Sequence, residues 1–230
     1  MPEFAASSAF FGLFVTLAAY LLGLKIKEKT GLAIMNPLLI AIVLVMLLLR
    51  SLHIDYDSYN QSAKLVSSLL TPATVCLAVP LYEQLQLLKR HKAAIFTGVI
   101  SGVLTSLVCV LVLSMLFGLD HAAYVTLLPK SITTAIGMGV SEQLGGHVSI
   151  TVAIIIITGV VGNMIAESVC KVFRIKEPIA RGIAIGTASH AIGTTKAMEL
   201  GDVEGAMSSL SIVVAGMLTV AGASIFSMLL

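Results

Sequence analysis

Two stretches of this 230-residue chain gather side chains that could hold a small anion. One reads Pro129-Lys-Ser-Ile-Thr-Thr134, the other Gly186-Thr-Ala-Ser-His-Ala-Ile-Gly-Thr-Thr-Lys196. Each combines hydroxyl donors, a lysine and a helix-disturbing Pro or Gly. Hydroxyls, backbone N–H groups and an ammonium are what must replace water when a carboxylate enters an apolar place. A half-helix N-terminus adds free N–H groups and partial positive charge. The candidate anion contacts are therefore Lys130, Ser131, Thr133, Thr134, Thr187, Ser189, His190, Thr194 and Lys196. His190 and Glu83 are candidates for carrying a coupled proton. The same residues have ordinary readings. Ser and Thr in membrane helices bond their own backbone or a neighbouring helix, lysines snorkel to an interface, and a histidine can be satisfied by packing. The residues alone leave both open.

The elements that must position these side chains are apolar. Hydrophobic residues make up 57% of the chain and charged residues 11%, against about a quarter charged in soluble domains. Mean hydropathy is +1.02. The bilayer is the expected solvent. A spanning helix needs roughly 20 apolar residues, and five stretches free of Asp, Glu, Lys and Arg reach about that length: 4–24, 30–49, 93–119, 143–166 and 205–230. A sixth, 65–82, is shorter and holds Pro72 and Pro80. Segments 122–141 and 182–200 are interrupted, the first by Pro129 and Lys130, the second by His190 and Lys196. Asn36-Pro37 is read as a kink within the second stretch. Residues 50–64 form the longest polar loop. The N-terminus lacks a basic n-region, so the first stretch is read as a retained helix. Gly12, Gly98 and Gly102 read as sites of close helix approach, and Glu167 as a partner of Lys171.

Charge placement orients the chain. Lys25, Lys27 and Lys29, then Lys89, Arg90 and Lys92, then Lys171, Arg174, Lys176 and Arg181 are all expected on the cytoplasmic side. For the last group to return there, 122–146 must dip into the membrane and leave by the same face. Segment 182–200 is then a hairpin from the opposite face or a broken span. The two interrupted segments also resemble each other: Ala135-Ile-Gly precedes Glu142-Gln-Leu-Gly, and Ala191-Ile-Gly precedes Glu199-Leu-Gly. Each is followed by one long apolar span, the inverted-repeat pattern of secondary transporters. The expected fold is all-α and polytopic, with about six spanning helices, two re-entrant or broken segments and an inverted repeat.

Several functions are set aside. The formal net charge of +2 and the absence of basic runs beside aromatics give nucleic acid no footprint. Cys76, Cys109 and Cys170 lie in apolar surroundings without metal-ligand spacing, so neither a disulfide framework, a metal nor a cofactor is expected. Enzymatic activity is not expected either: Ser189 and His190 are adjacent and would point apart on a regular helix, and no nucleophile elbow or zinc-protease motif is present.

The chain resembles the LrgB/CidB family of bacterial inner-membrane proteins. The resemblance rests on Asn36-Pro-Leu-Leu, Asp55-Tyr-Asp-Ser-Tyr59, the stretch from Leu69-Leu-Thr-Pro to Tyr82-Glu-Gln84, Leu128-Pro-Lys-Ser-Ile-Thr-Thr134, Ala180-Arg-Gly-Ile-Ala-Ile-Gly-Thr-Ala-Ser-His-Ala-Ile-Gly-Thr194 and Glu204-Gly-Ala-Met-Ser-Ser209. It implies one transmembrane domain over residues 1–230: scaffold helices at 4–62, a proline-broken segment plus helix at 63–119, and hairpin-plus-helix units at 122–173 and 180–230. It also implies a multi-pass protein of the bacterial cytoplasmic membrane working with a small LrgA/CidA-type membrane partner. A homodimer is a further possibility for the assembly. Relatives are associated with murein hydrolase regulation and holin/antiholin-like lysis control, and others with small organic acids such as glycolate, glycerate and pyruvate. The expected function is a monocarboxylate transporter or a subunit of one, its substrate held between the tips of 128–136 and 186–196. The alternative is a holin/antiholin-like pore or regulator of murein hydrolase activity and cell lysis. A holin-like pore predicts amphipathic helices, but no long span carries a continuous polar stripe, and a regulator that merely binds a partner would not need two costly backbone breaks at membrane depth.

Overall fold

In a computed structural model, the structure describes residues 10–31, 35–69, 72, 75, 76 and 78–230. Among these the regular structure is entirely helical. The chain divides into two compact units, Met1–Cys76 and Leu77–Leu230. Part of the expected 4–24 stretch, and residues 70, 71, 73, 74 and 77 of the proline-bearing 65–82 stretch, lie outside the described residues.

The first unit contains α1 (Phe11–Thr30), α2 (Pro37–Leu52) and α3 (Tyr56–Ser68). Gly31 ends α1 with φ 64°, a left-handed value that glycine adopts without a Cβ clash. The expected kink at Asn36-Pro37 is instead a helix start. Asn36 is extended, and its side chain accepts hydrogen bonds from the N–H groups of Leu38 and Leu39. Proline fits the first helical position, where its missing N–H has no partner to lose. The polar stretch expected as a loop, 50–64, is likewise largely helical: α2 runs to Leu52 and α3 begins at Tyr56, capped by the Asp55 carboxylate on the Asp57 N–H. A polar helix survives here because it packs. The Gly12 N–H donates to Ser62 Oγ at 2.9 Å, and the Thr16 and Tyr59 hydroxyls bond at 2.7 Å. A Cβ at Gly12 would stand 2.6 Å from the Ala63 nitrogen, so glycine permits the close approach.

The second unit contains α4 (Ala78–Glu83), α5 (Leu85–Phe117), α6 (His121–Leu127), α7 (Thr134–Gln143), α8 (Val148–Val172), α9 (Pro178–Leu200) and α10 (Asp202–Phe226), closed by a 3-10 turn at Ser227–Leu229. Three spans among the described residues are long and apolar enough to cross a membrane: Gln86–Phe117, Val148–Val172 and Asp202–Leu229. Pro37–Leu52 is apolar but shorter. The outer faces carry Phe96, Ile100, Leu104, Ile157, Val161, Val213 and Met217, all exposed, whereas the interior buries Ser141, Thr151, Thr194, Ser208, Ser211 and Thr219. Apolar outside and hydroxyl-rich inside is the distribution that lipid as solvent favours.

Two segments reverse direction. Helix α9 first runs parallel to α5, with Ile183 against Gly98 and Thr187 against Gly102. At His190 the backbone leaves helical geometry (φ 42°, ψ −139°), a strained region for a residue with a Cβ. It then returns along α8: Asn163 Nδ2 donates to the Ile192 carbonyl at 2.9 Å, and Lys196 pairs with Glu167 at 3.5 Å. The other reversal joins α6 to α7 through residues 128–133. The Thr151 hydroxyl bonds the Thr126 carbonyl at 3.0 Å and the Ser141 hydroxyl at 2.7 Å, tying both legs to α8.

Glycines set the tightest contact, that of α9 with α10. A Cβ at Gly186 would meet the Ser208 carbonyl and stand 2.8 Å from its Cα. Gly186→Val is therefore expected to cost about 1–3 kcal/mol through overpacking, read as a lower melting temperature of the detergent-purified protein. Gly139→Ala, at a position with no heavy atom within 4 Å of the new Cβ, should melt close to the parent.

Candidate functional site

Residue Ile155 of α8 marks where the two reversals converge. Its carbonyl accepts a hydrogen bond from His190 Nε2 at 3.0 Å, and its side chain packs where Gly137 leaves room beside Pro129. Gly159 lies under the imidazole, where a Cβ would stand 2.9 Å from the ring. His190 is buried and its Nε2 is the donor in this bond, because a carbonyl can only accept.

On the other side of α9 lies a half-open chamber of about 940 Å³, bordered by one face of α5, the first leg of α9 and the 130–131 tip, with Ser101, Thr105, Cys109, Ala184 and Ala188 exposed along it. Lys130 is half-buried, and its ammonium donates to Ser131 Oγ at 2.9 Å. Ser131 Oγ lies 3.3 Å from Ser106 Oγ of α5. No carboxylate pairs with Lys130 among the described residues. Thr187, also in the wall, has a buried hydroxyl with no hydrogen-bond partner. One ammonium and two hydroxyls, with the buried Thr187 hydroxyl in the wall behind them, thus border a space with few competing acceptors, an arrangement suited to a carboxylate. His91 and Glu177 line the end nearer the basic stretches 89–92 and 171–181, so those stretches share one end of this unit.

The chamber brings together Lys130, Ser131 and Thr187 from the sequence-expected set. It does not take in the rest. Thr133 caps α7 by position without a side-chain cap bond, and Thr134 opens that helix. Ser189 packs against Gly162. Thr194 donates to the His190 carbonyl at 2.9 Å and bonds the Ser208 hydroxyl at 2.7 Å. Lys196 is paired with Glu199 at 3.1 Å and with Glu167, and Glu167 also holds Lys171 at 2.9 Å. Glu83 stands in a separate surface groove beside Gln86 and Arg90.

Sequence reasoning missed the α5 wall, in particular Ser101, Thr105 and Ser106. A signal existed: small or polar residues recur at 91, 94, 98, 101, 102, 105, 106 and 109, one face of a helix otherwise rich in Leu and Val.

Comparison with known proteins gives a consistent result. The model of the LrgB-like family matches residues 16–229. The chain is 38% identical to the antiholin-like protein LrgB of Bacillus mycoides (strain KBAB4), over 92% of both chains. It is 37% identical to the proteins of that name from Bacillus cereus (strain B4264) and Bacillus anthracis (strain CDC 684 / NRRL 3495), again over 92% of each. No solved structure matches.

Proposed function

This chain belongs to the LrgB-like family, and from that footing we propose that it acts in the bacterial cytoplasmic membrane as an antiholin-like regulator of murein hydrolase activity and lysis. The observation carrying this reading is the near full-length likeness to relatives bearing the antiholin-like name. A small LrgA-type membrane protein is the proposed partner.

A second reading is favoured by the chamber: the protein, alone or with that partner, carries small monocarboxylates of the pyruvate, glycolate or glycerate class. Lys130, with no carboxylate partner among the described residues and linked to Ser131 and through it to Ser106, in a lining that also holds Thr187, supports an anion seat rather than a buried ion pair. The two reversals, flanking α8 in sequence and meeting at Ile155, support an inverted arrangement with the seat at mid-depth. Any further spans of the expected six would come from the first unit and the segment before α5.

The two readings separate in a purified system. Liposomes containing the protein, with and without its partner, are loaded and challenged with radiolabelled pyruvate, glycolate and glycerate, while a large dye reports leakage. Saturable acid flux without dye release supports the carrier. Absence of flux, with altered autolysis in cells carrying a deletion, supports the regulator alone. Dye and acid escaping at equal rates would point to a pore and count against both.

A further inference from the structure

We propose that the face of α5 from His91 to Cys109 walls a blind access path leading an anion from the basic end of this unit to Lys130, and that Ser106 and Thr187 touch that anion. This rests on reading the Lys130 chamber as an anion seat.

The path follows from the lining. On α5 it comprises His91, where the helix is kinked (φ −110°, ψ 17°), and beyond it Gly98, Ser101, Thr105, Ser106 and Cys109, among others, at helical spacing. At 1.5 Å per residue this stripe is roughly 27 Å long. On the facing leg of α9 the small side chains Ala180, Ala184 and Ala188 alternate with Ile179, Ile183 and Thr187. Residues of α5 on the same turns but outside the chamber, Leu104 and Val108, are large and apolar, whereas the likewise exposed Ser101, Thr105 and Cys109 inside it are small. The lining stops at Cys109, although α5 continues to Phe117. Beside the 130–131 tip, Tyr124, Val125, Leu128 and Ile132 are fully buried and fill the hairpin. In the proposed path the anion enters near His91 and stops at Lys130.

A row of small residues could be mere helix packing, but Thr187 argues otherwise. It is 6% exposed, and its hydroxyl has no partner. A helical threonine ordinarily bonds the carbonyl one turn back, as Thr194 does to His190. Thr187 makes no such bond among the described residues; its hydroxyl is buried at the chamber wall, and its methyl lies over Gly102, whose missing side chain gives it room. Ser106 sits one turn further along α5, linked through Ser131 to Lys130. At the open end Lys89, Arg90 and Lys92 flank His91 and raise the local concentration of anions, while Glu177 is the carboxylate in the chamber lining. One cation at the inner end and a carboxylate at the mouth suit a monoanion and disfavour a dicarboxylate.

The test uses the full chain with its three natural cysteines replaced by alanine, and single cysteines at Ser101, Thr105, Leu104 and Val108. A membrane-impermeant anionic thiosulfonate is applied to sealed vesicles of each orientation, and labelling is read by mass spectrometry. Ser101→Cys and Thr105→Cys should label at least tenfold faster than Leu104→Cys and Val108→Cys, and only from the face bearing 89–92. Equal labelling of the four, or labelling of Ser101→Cys and Thr105→Cys from the opposite face, would overturn the path. Separately, Thr187→Val and Ser106→Ala should each weaken protection of Thr105→Cys by glycolate or glycerate about tenfold, with Thr187→Ser near the parent. Parent-like protection in both would overturn the contacts. Fast labelling that no monocarboxylate slows, in a protein that also shows no acid flux, would leave the path standing and refute the anion seat itself.

Discussion

Lys130→Ala is expected to lower saturable monocarboxylate flux into liposomes at least tenfold while leaving the protein as stable as the parent. The ammonium makes its one described hydrogen bond to Ser131 and no ion pair among the described residues. Removing it therefore breaks little of the fold. It also relieves the cost of holding a charge partly out of water. A hydrogen bond to a charged group is worth roughly 1.5–3 kcal/mol, or about 10- to 150-fold in binding. A bound carboxylate loses that and the Coulombic attraction together. Lys130→Arg should retain part of the flux, because it keeps the charge but spreads it over a planar fork that fits the Ser131 contact poorly. Unchanged flux in Lys130→Ala would remove the lysine from the seat. Lost flux with a lowered melting temperature would make it a structural residue. If the parent itself shows no flux, the antiholin-like regulator remains as the reading, and Lys130→Ala should then leave autolysis unaltered.

Much of this arrangement is legible in the sequence because the bilayer imposes simple rules. Uninterrupted apolar length announces α5, α8 and α10. Prolines, glycines and hydroxyls announce where helices give way, and the basic stretches 89–92 and 171–181 announce a shared end. That 182–200 folds back on itself could be read only from the break at His190 and from Asn163 and Glu167, which receive the returning leg. Those are contacts between segments far apart in sequence, and composition carries no trace of them. Lys196 shows the same limit. A lysine in a polar break looks like an anion contact, but one turn later stands Glu199, and the neighbouring helix brings Glu167. Asn36 looked like a kink because a proline followed it, although the same pair is also a cap. Small residues on α5 read equally well as packing or as a wall, and only the α9 residues facing them decide between the two.

The other large effect concerns stability. Arg181→Ala is expected to cost about 3 kcal/mol, the lower end of the range for breaking a buried pair. Arg181 lies in the first turn of α9 and Glu204 in the first turn of α10, with a nitrogen–oxygen distance of 3.6 Å. Glu204 is 5% exposed, whereas the Arg181 side chain is 31% exposed, so loss of the arginine strands the more deeply buried charge. Arg181 Nε also donates to the Ile175 carbonyl at 2.8 Å, fixing the loop that returns the chain to the basic end. Next to it, Gly182 lets the Glu204 backbone approach to 2.5 Å of where a Cβ would be, so the helices have little freedom to open and hydrate the carboxylate. For a chain of this size about 3 kcal/mol corresponds to a fall of roughly 6–12 °C in melting temperature, measurable in detergent. Arg181→Lys should lie between, since one ammonium cannot serve both the Ile175 carbonyl and Glu204 with Arg's fork geometry. Adding Glu204→Gln to Arg181→Ala removes the stranded charge and should recover part of the loss. A single mutant melting within a degree of the parent would mean that water reaches Glu204, and that the start of the α9–α10 contact is held by the glycine packing at 182 and 186 alone.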